Sequence, residues 1–486
     1  MAKVDLSKKY YLIMIAFLTN GYLIAKVLDY ETVMVAEFFR HGARTGIGHT
    51  YLKEELKIGK GNLTFAGIRQ HYILGAQTRE NYPNLFKKTK ITNKDYLLYS
   101  STSPRAIISG YSHLQGLYPE ENDQNIQKNY PESFLRPKYN SKKFNVSVSF
   151  KSILPHNTMV FPIETNEDLV FKKIDKKKFT AEIKKRKKLT TTKCLNQYCD
   201  KFKSTAEKLK KTKYDPKKLV GINEWNCLSI KKFYSIANNY QYLKGHHMPF
   251  ITSELYIEMQ KVYSLISNCQ RLQHNQMSKL YITKIIKKIK DSFKKKIKQK
   301  NFELKYLMFS GHDDQMFPLL KNHKITNLDC IYKSYKTRKN KIKLENGNTC
   351  IIFPGFASSF LWELNRNKNS NEWFVRILYN GKPIKFCKNN KDEFYCPFKS
   401  WESLVNDEMI LSEKEINELY QMDKKDVFFD IISYKILSFI LLIIAIILFV
   451  VFIWMIKRLK NIKNKKSGVV HIIGGNHRIQ DRKKNN

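Results

Sequence analysis

The sequence predicts an α/β fold, interrupted by a mostly helical segment and followed by one membrane-spanning helix. Three observations lead there. Strand-like apolar runs alternate with helical stretches from Glu31 to about Lys128, and strand-like runs return from Phe302 to about Trp401. Between them, from about Asn129 to Lys300, the chain is Lys-rich and mostly helical in pattern. Near the end, Ile436 to Ile456 is 21 residues without a charge, long enough to span a bilayer. The expected division is a signal peptide over 1–25, a first α/β part over 26–128, a cap insertion over 129–300, and a second α/β part with a stalk over 301–430. The spanning helix over 436–456 and a basic tail over 457–486 complete it.

Taken in order, Lys3, Lys8 and Lys9 precede an apolar core from Tyr10 to Leu18, and Thr19-Asn20-Gly21 or Leu23-Ile24-Ala25 would precede cleavage. That is a signal-peptide pattern; an uncleaved anchor is the alternative, disfavoured by the shortness of the apolar run. Val33 to Phe39 is a mostly apolar run that reads as a buried strand, and it ends at Arg40-His41-Gly42-Ala43-Arg44. Two guanidinium forks on one turn can hold phosphate oxygens bidentately, and a histidine between them is placed to attack phosphorus.

A second strand-like run, Tyr96 to Ser100, leads into Ser101-Thr102-Ser103-Pro104-Arg105. Ser103 before Pro104 marks a helix N-cap with proline at the first helical position. Arg105 then falls in the first turn, where backbone N–H groups and the helix dipole favour an anion. Taken alone it would be an ordinary surface arginine.

In the middle segment, Phe171 to Lys188 and Lys201 to Lys218 read as solvated helix faces and loops. Ile282, Ile285, Ile286, Ile289, Phe293 and Ile297 recur at helical spacing with lysines opposite, which predicts a helix packed on its own domain rather than one lying on a membrane.

A third strand-like run, Leu304 to Ser310, leads into Gly311-His312-Asp313-Asp314 and a helical run to Leu320. By itself a His-Asp pair is weak, since either aspartate would serve simply as a helix cap. Together the three strand ends say more. In open α/β sheets ligands bind beyond the carboxyl ends of the strands. Three arginines, two histidines and an acid gathered there equip a site for phosphoryl transfer without metal or cofactor.

The formal net charge of +44 does not redirect this reading towards nucleic acid. The excess is mostly Lys, is spread widely, and accompanies much Asn, Ile, Tyr and Phe, with no nucleic-acid fold signature. The eight cysteines begin only at Cys194, and their number suits disulfides in a secreted domain, with connectivity left open. After the apolar run come Lys457, Arg458, Lys460, Lys463, Lys465 and Lys466, which the positive-inside rule places in the cytosol. The expected arrangement is a single-pass type I membrane protein whose main domain is lumenal or extracellular. Asn62-Leu63-Thr64 and Asn145-Val146-Ser147 are glycosylation triplets consistent with that side.

These residues resemble the histidine acid phosphatases. Arg40-His41-Gly42-Ala43-Arg44 is similar to that family's RHGxR motif, and Gly311-His312-Asp313 to its later His-Asp motif. Leu63 to Tyr72 resembles its helix start after the first motif, and Ser101 to Arg105 the segment with its third arginine. Phe353 to Ser358 with Leu361 to Leu364 resembles the following strand, and Cys387 with Cys396-Pro397 its C-terminal cystine. The resemblance covers roughly residues 30 to 400 and implies a doubly wound α/β sheet, helices on both faces, and a mostly helical cap. It implies that His41 is the nucleophile, that Arg40, Arg44, Arg105 and His312 bind phosphate, and that Asp313 protonates the leaving group.

Three departures stand out. Gly46 replaces a frequent proline and is expected to loosen the loop after Arg44. Asp314 adds a carboxylate that would repel phosphate or raise the pKa of Asp313. The span from Cys387 to Cys396 is longer than usual.

The leading expectation is an acid phosphatase acting on phosphate monoesters through a phosphohistidine. A relative restricted to lysophosphatidic acid or an inositol phosphate is one alternative, and a catalytically silent phosphatase-fold membrane protein is another. The expected partners are a phosphomonoester substrate and a membrane, without nucleic acid, and a homodimer stays open. Lysosome, vacuole and cell surface stay open as locations, as does the endoplasmic reticulum because of the terminal Lys483-Lys484.

Overall fold

Strand β1 (Tyr30–Arg40) runs through the middle of a mixed sheet, and its side chains sort alternately to two different cores. The structure, a computed structural model, describes residues 30–46, 59–86, 92–119, 161–166, 181–272, 275–387, 393–421, 439 and 441–458. The signal-peptide segment, Asn145 and the terminal lysines lie outside the described residues.

The other strands are β2 (Tyr96–Ser100), β3 (Glu164–Thr165), β4 (Tyr306–Gly311), β5 (Ser359–Asn367), β6 (Trp373–Tyr379), β7 (Lys382–Pro383) and β8 (Tyr395–Pro397). Their order is β3-β2-β4-β1-β5-β6-β7, with β8 also pairing β6. Strands β3, β2, β4 and β1 pair in parallel. From β5 onward the pairing is antiparallel. The connection from β5 to β6 is too short for a crossover, so the chain must turn straight back.

On one face Met34, Ala36 and Phe38 join Leu307, Phe309, Phe360, Trp362 and Leu364. This layer is covered by α8 (Asn275–Lys298), α9 (Asp313–Asn322) and α11 (Phe398–Leu404). Ile282, Ile285, Ile286, Ile289 and Phe293 of α8 are fully buried there, and Ile297 packs partly against it, so the isoleucine stripe is core. On the other face Val35 and Phe39 join Tyr306, Met308 and Leu361 under α1 (Phe65–Asn81) and α2 (Pro104–Leu117). Those two helices touch backbone to backbone through glycines. A Cβ on Gly75 would lie 1.9 Å from the His113 carbonyl oxygen, and one on Gly116 would lie 1.9 Å from that of Tyr72.

A second core is helical. It is formed by α3 (Ala181–Tyr198), α4 (Lys203–Lys210), α5 (Pro216–Val220), α6 (Cys227–Lys244) and α7 (Ser253–Leu272), joined by α10 (Leu328–Thr337) and the stretch to Phe353. Membership therefore does not follow chain order: α8 packs on the sheet, and Leu328 to Phe353 packs with the helices. Three of four disulfides, Cys194–Cys269, Cys199–Cys227 and Cys330–Cys350, lie in this helical core. The fourth, Cys387–Cys396, is the cystine the family resemblance implied.

Residues 417–486 with 178–181 form a separate unit. It contains the end of α12 (Glu413–Gln421) and α13 (Leu441–Arg458), the one helix among the described residues long and apolar enough to cross a membrane. Eighteen residues span about 27 Å. This overlaps the expected 436–456, of which 436–438 and 440 lie outside the described residues.

Candidate active site

The three strand ends singled out by sequence finish side by side. Ser310 of β4 is in register with Ser100 of β2 and with Phe39 of β1, and Gly311 is in register with Arg40. The ladder runs one step further, since the His41 N–H donates to the Gly311 carbonyl at 2.9 Å and the Ser101 N–H to the Ser310 carbonyl at 3.1 Å. Arg40-His41, Ser101 and His312 thus leave one edge of the sheet together.

The loop after β1 is fixed against α1. A Cβ on Gly42 would lie 2.4 Å from the Gly67 carbonyl oxygen, so glycine is required for that approach. The Ala43 N–H donates to Gln70 Oε1 at 2.9 Å, and the Gly42 N–H to Ser109 Oγ at 3.1 Å. Thr64 caps α1 by accepting from the Gly67 N–H at 3.1 Å, while its hydroxyl donates to the Ala43 carbonyl. Its hydroxyl is thus part of this fastening, although Asn62-Leu63-Thr64 also reads as a glycosylation triplet. Gly46 is held as well, with its carbonyl accepting from the Gly61 N–H at 3.0 Å.

Arg40 is 4% exposed. Its Nη1 donates to the Pro354 carbonyl at 2.7 Å, its Nη2 lies 3.7 Å from Asp313 Oδ2, and its guanidinium sits 4.5 Å above the Phe356 ring. His41 is buried, and its Nδ1 lies 2.8 Å from the Gly42 carbonyl oxygen. A carbonyl only accepts, so Nδ1 carries the proton and Nε2 the lone pair. The His41 and His312 rings meet edge to face at 5.3 Å. Arg44 Nη1 donates to the Thr45 carbonyl at 2.8 Å. Arg105, in the first turn of α2, brings Nη2 to 3.5 Å from His312 Nδ1. Ser103 does stand at the N-cap before Pro104, but its hydroxyl makes no capping bond.

The electrostatics are those of an anion site. Burial, then the charges of His312, Arg40, Arg44 and Arg105, pull the His41 pKa well below its ordinary value, so the ring stays neutral into acid. Burial, helped by Arg40 and Arg105 and opposed by Asp313, brings Arg44 down to about 10. Burial also lowers Arg105, against the opposing charges of Asp313 and Asp314 and with help from Arg40. The Nε groups of Arg40, Arg44 and Arg105 are buried without a hydrogen-bond partner. Crowded guanidinium groups with spare N–H donors favour an entering anion.

The model of the histidine phosphatase superfamily, branch 2, matches residues 34–380, most of the chain. The chain belongs to that family. This histidine phosphatase is 32% identical to human prostatic acid phosphatase over 110 residues, 22% of this chain and 28% of that protein. It is 30% identical to human lysosomal acid phosphatase over 109 residues, 22% of this chain and 25% of that protein. The alignments thus span about a quarter of these relatives. Among solved structures, the phytase from Citrobacter braakii aligns at a TM-score of 0.53 and 12% identity, covering 79% of this chain and all (100%) of that one. The Klebsiella sp ASR1 phytase aligns at 0.50 and 12%, covering 80% and 98%. At such identity the likeness establishes the fold.

All six residues expected from the sequence meet at this edge. Several others at the site were not foreseen. Tyr263 of α7 places its hydroxyl 3.5 Å from Asp313 Oδ2, with its ring set against Phe353 and Tyr234. The neighbouring Ser264 hydroxyl bonds the Ile352 carbonyl, tying α7 to the segment whose Pro354 carbonyl takes Arg40. Ser109 and Phe356 complete the surroundings. Tyr263 and Ser264 come from a helix with no local motif, Ser109 follows Arg105 by one helical turn, and Phe356 lies in the Phe353 to Ser358 segment that resembles the family.

Proposed function

We propose that the chain is a phosphomonoesterase that works through a phosphohistidine at His41. The observation that carries this reading is the His41 ring: Nδ1–H is committed to the Gly42 carbonyl, and the ring is held neutral among three arginines. Nε2 attacks phosphorus as the bond to the alcohol oxygen breaks. Arg40, Arg44, Arg105 and His312 hold the phosphoryl oxygens, and Asp313 gives its proton to the departing alkoxide. Water then attacks the phosphohistidine, the Asp313 carboxylate takes a proton from it, and inorganic phosphate leaves. Asp313 must be protonated for the first step, which favours acidic conditions. We further place the catalytic domain on the lumenal or extracellular side of a membrane anchored by α13; four disulfides support an oxidising compartment.

The test is hydrolysis of p-nitrophenyl phosphate at acidic pH by the purified chain, with base-quenched labelling from a radioactive phosphoryl donor. The wild type should turn over and carry a base-stable label on His41. His41→Ala should lower kcat by about 10⁴-fold or more. Phosphate binding without turnover in the wild type would instead favour a silent binding protein, and retained turnover in His41→Ala would reassign the nucleophile.

A further inference from the structure

We propose that Gln70 is a positioning residue for the nucleophile: it orients and polarises the peptide group that holds the His41 ring. This rests on the phosphohistidine reading above and gives Gln70 a role beyond fastening the loop.

Three successive peptide groups carry the loop away from β1. The Arg40–His41 peptide accepts from His71 Nε2 at 3.2 Å and donates to the Gly311 carbonyl at 2.9 Å. The His41–Gly42 peptide accepts from the Ala357 N–H at 3.3 Å and donates to Ser109 Oγ at 3.1 Å. Both are held on each side by the surrounding frame. The Gly42–Ala43 peptide differs. Its N–H, from Ala43, donates to Gln70 Oε1 at 2.9 Å, and its carbonyl, from Gly42, accepts from His41 Nδ1 at 2.8 Å. A single planar amide therefore joins Gln70 to the ring that attacks phosphorus.

The amide is rigid, so an acceptor that fixes the direction of its N–H also fixes the direction of its carbonyl. The carbonyl in turn fixes the rotation of the imidazole and keeps the lone pair on Nε2. An acceptor on the N–H also makes the carbonyl a stronger acceptor, because hydrogen bonds in a chain polarise one another. A stronger acceptor behind Nδ1–H leaves Nε2 more basic, as a carboxylate or carbonyl does behind other working histidines. Proton ownership at Gln70 is settled, since a backbone N–H only donates and the facing atom must be Oε1. Ala43 is completely buried, so the Gln70 oxygen stands where solvent does not reach the backbone. Gln70 is itself fixed early in α1, whose start is capped by Thr64 and pressed on the loop where Gly67 meets Gly42.

The test uses the full chain in detergent, with ¹⁵N-labelled histidine, an alkyl phosphate as substrate and inorganic phosphate as inhibitor. His41 ring signals are identified by their loss in His41→Ala. Gln70→Met, which removes the acceptor at similar volume, should lower kcat about tenfold and move the His41 Nδ1 proton resonance upfield, with the inhibition constant of phosphate held within about twofold. Gln70→Glu, which keeps an oxygen for the Ala43 N–H, should restore both kcat and the resonance. Ser109→Ala, which releases the neighbouring peptide instead, should leave that resonance in place. An unchanged kcat or an unmoved resonance in Gln70→Met overturns the proposal. So does a matching loss of phosphate binding, or the same upfield move in Ser109→Ala, because either makes Gln70 a support for the loop as a whole. A wild type that hydrolyses nothing, with the Nδ1 proton still moved by Gln70→Met, refutes the catalytic reading and leaves the link from Gln70 to His41 standing. With the proton unmoved, it refutes both.

Discussion

The two faces of the central sheet differ in how much ionisable chemistry they bury. The face under α8, α9 and α11 is filled mainly by Phe38, Phe309, Phe360 and Trp362, with the buried His323 ring 4.6 Å from that of Phe360. The face under α1 and α2 buries ionisable groups. Tyr306 donates to Glu37 Oε2 at 2.8 Å, His113 Nε2 lies 2.9 Å from the Tyr306 hydroxyl, and the Thr78 hydroxyl is 3.5 Å from the same carboxylate oxygen. Beside them His71 Nε2 lies 3.2 Å from the Arg40 carbonyl, and the Phe39 ring sits 4.8 Å from both histidines. One face supplies packing. The other reaches the backbone of the candidate nucleophile's loop through His71.

Trp362→Ala on the apolar face should show the largest effect, a loss of about 3–5 kcal/mol read from urea unfolding. Protein that remains folded should keep its kcat. A drop in kcat per folded molecule would show that the apolar face also shapes the site, and the contrast would break.

The next test is the pH dependence of the polar face. Burial, outweighing hydrogen bonds from Tyr306 and Thr78, pushes the Glu37 pKa from 4.5 up to about 8. The folded chain thus keeps a proton that the unfolded chain releases, and stability falls as pH rises through that window. His71 runs the other way: burial, against the bond to Arg40, takes it from 6.5 down to about 3, so stability falls as pH drops through that range. Burial and the nearby His71 lower His113 in the same direction. For these three groups stability peaks near pH 6.5, where the histidine losses end and only the Glu37 loss continues. Wild type should lose about 1 kcal/mol between pH 6.5 and 8, and Glu37→Gln should abolish that loss. Parallel curves for the two proteins would mean that Glu37 is ionised in the folded chain.

The smallest effect is expected at Tyr263, which belongs to neither face. Tyr263→Phe should lower kcat on an alkyl phosphate about three- to tenfold, the worth of one hydrogen bond. The effect on p-nitrophenyl phosphate should be smaller, because that leaving group needs less help from Asp313. Equal losses on both substrates would make Tyr263 a support for the site as a whole rather than for the proposed acid.

The sequence by itself determined the pieces that are local. Strand, turn and helix start are set within a dozen residues, so the strand ends carrying Arg40 to Arg44, Ser101 to Arg105 and His312-Asp313 were legible, as were the α8 stripe and the apolar helix near the C-terminus. Apolar periodicity also showed which face of α8 would be buried, and the apolar run of β1 that this strand would be buried. Tertiary structure decided everything that depends on what lies opposite. Glu37 sat unremarked in an apolar run, and its protonated state follows only from total burial beside Tyr306, 269 positions away. Ser101 meets His312 across 211 positions, and Tyr263 meets Asp313 across 50. Three cystine pairings, and the exchange by which α8 joins the sheet while Leu328 to Phe353 joins the helices, were equally invisible. Periodicity tells a residue which way to face; burial and proton ownership depend on the partner it faces, and only the folded chain supplies that partner.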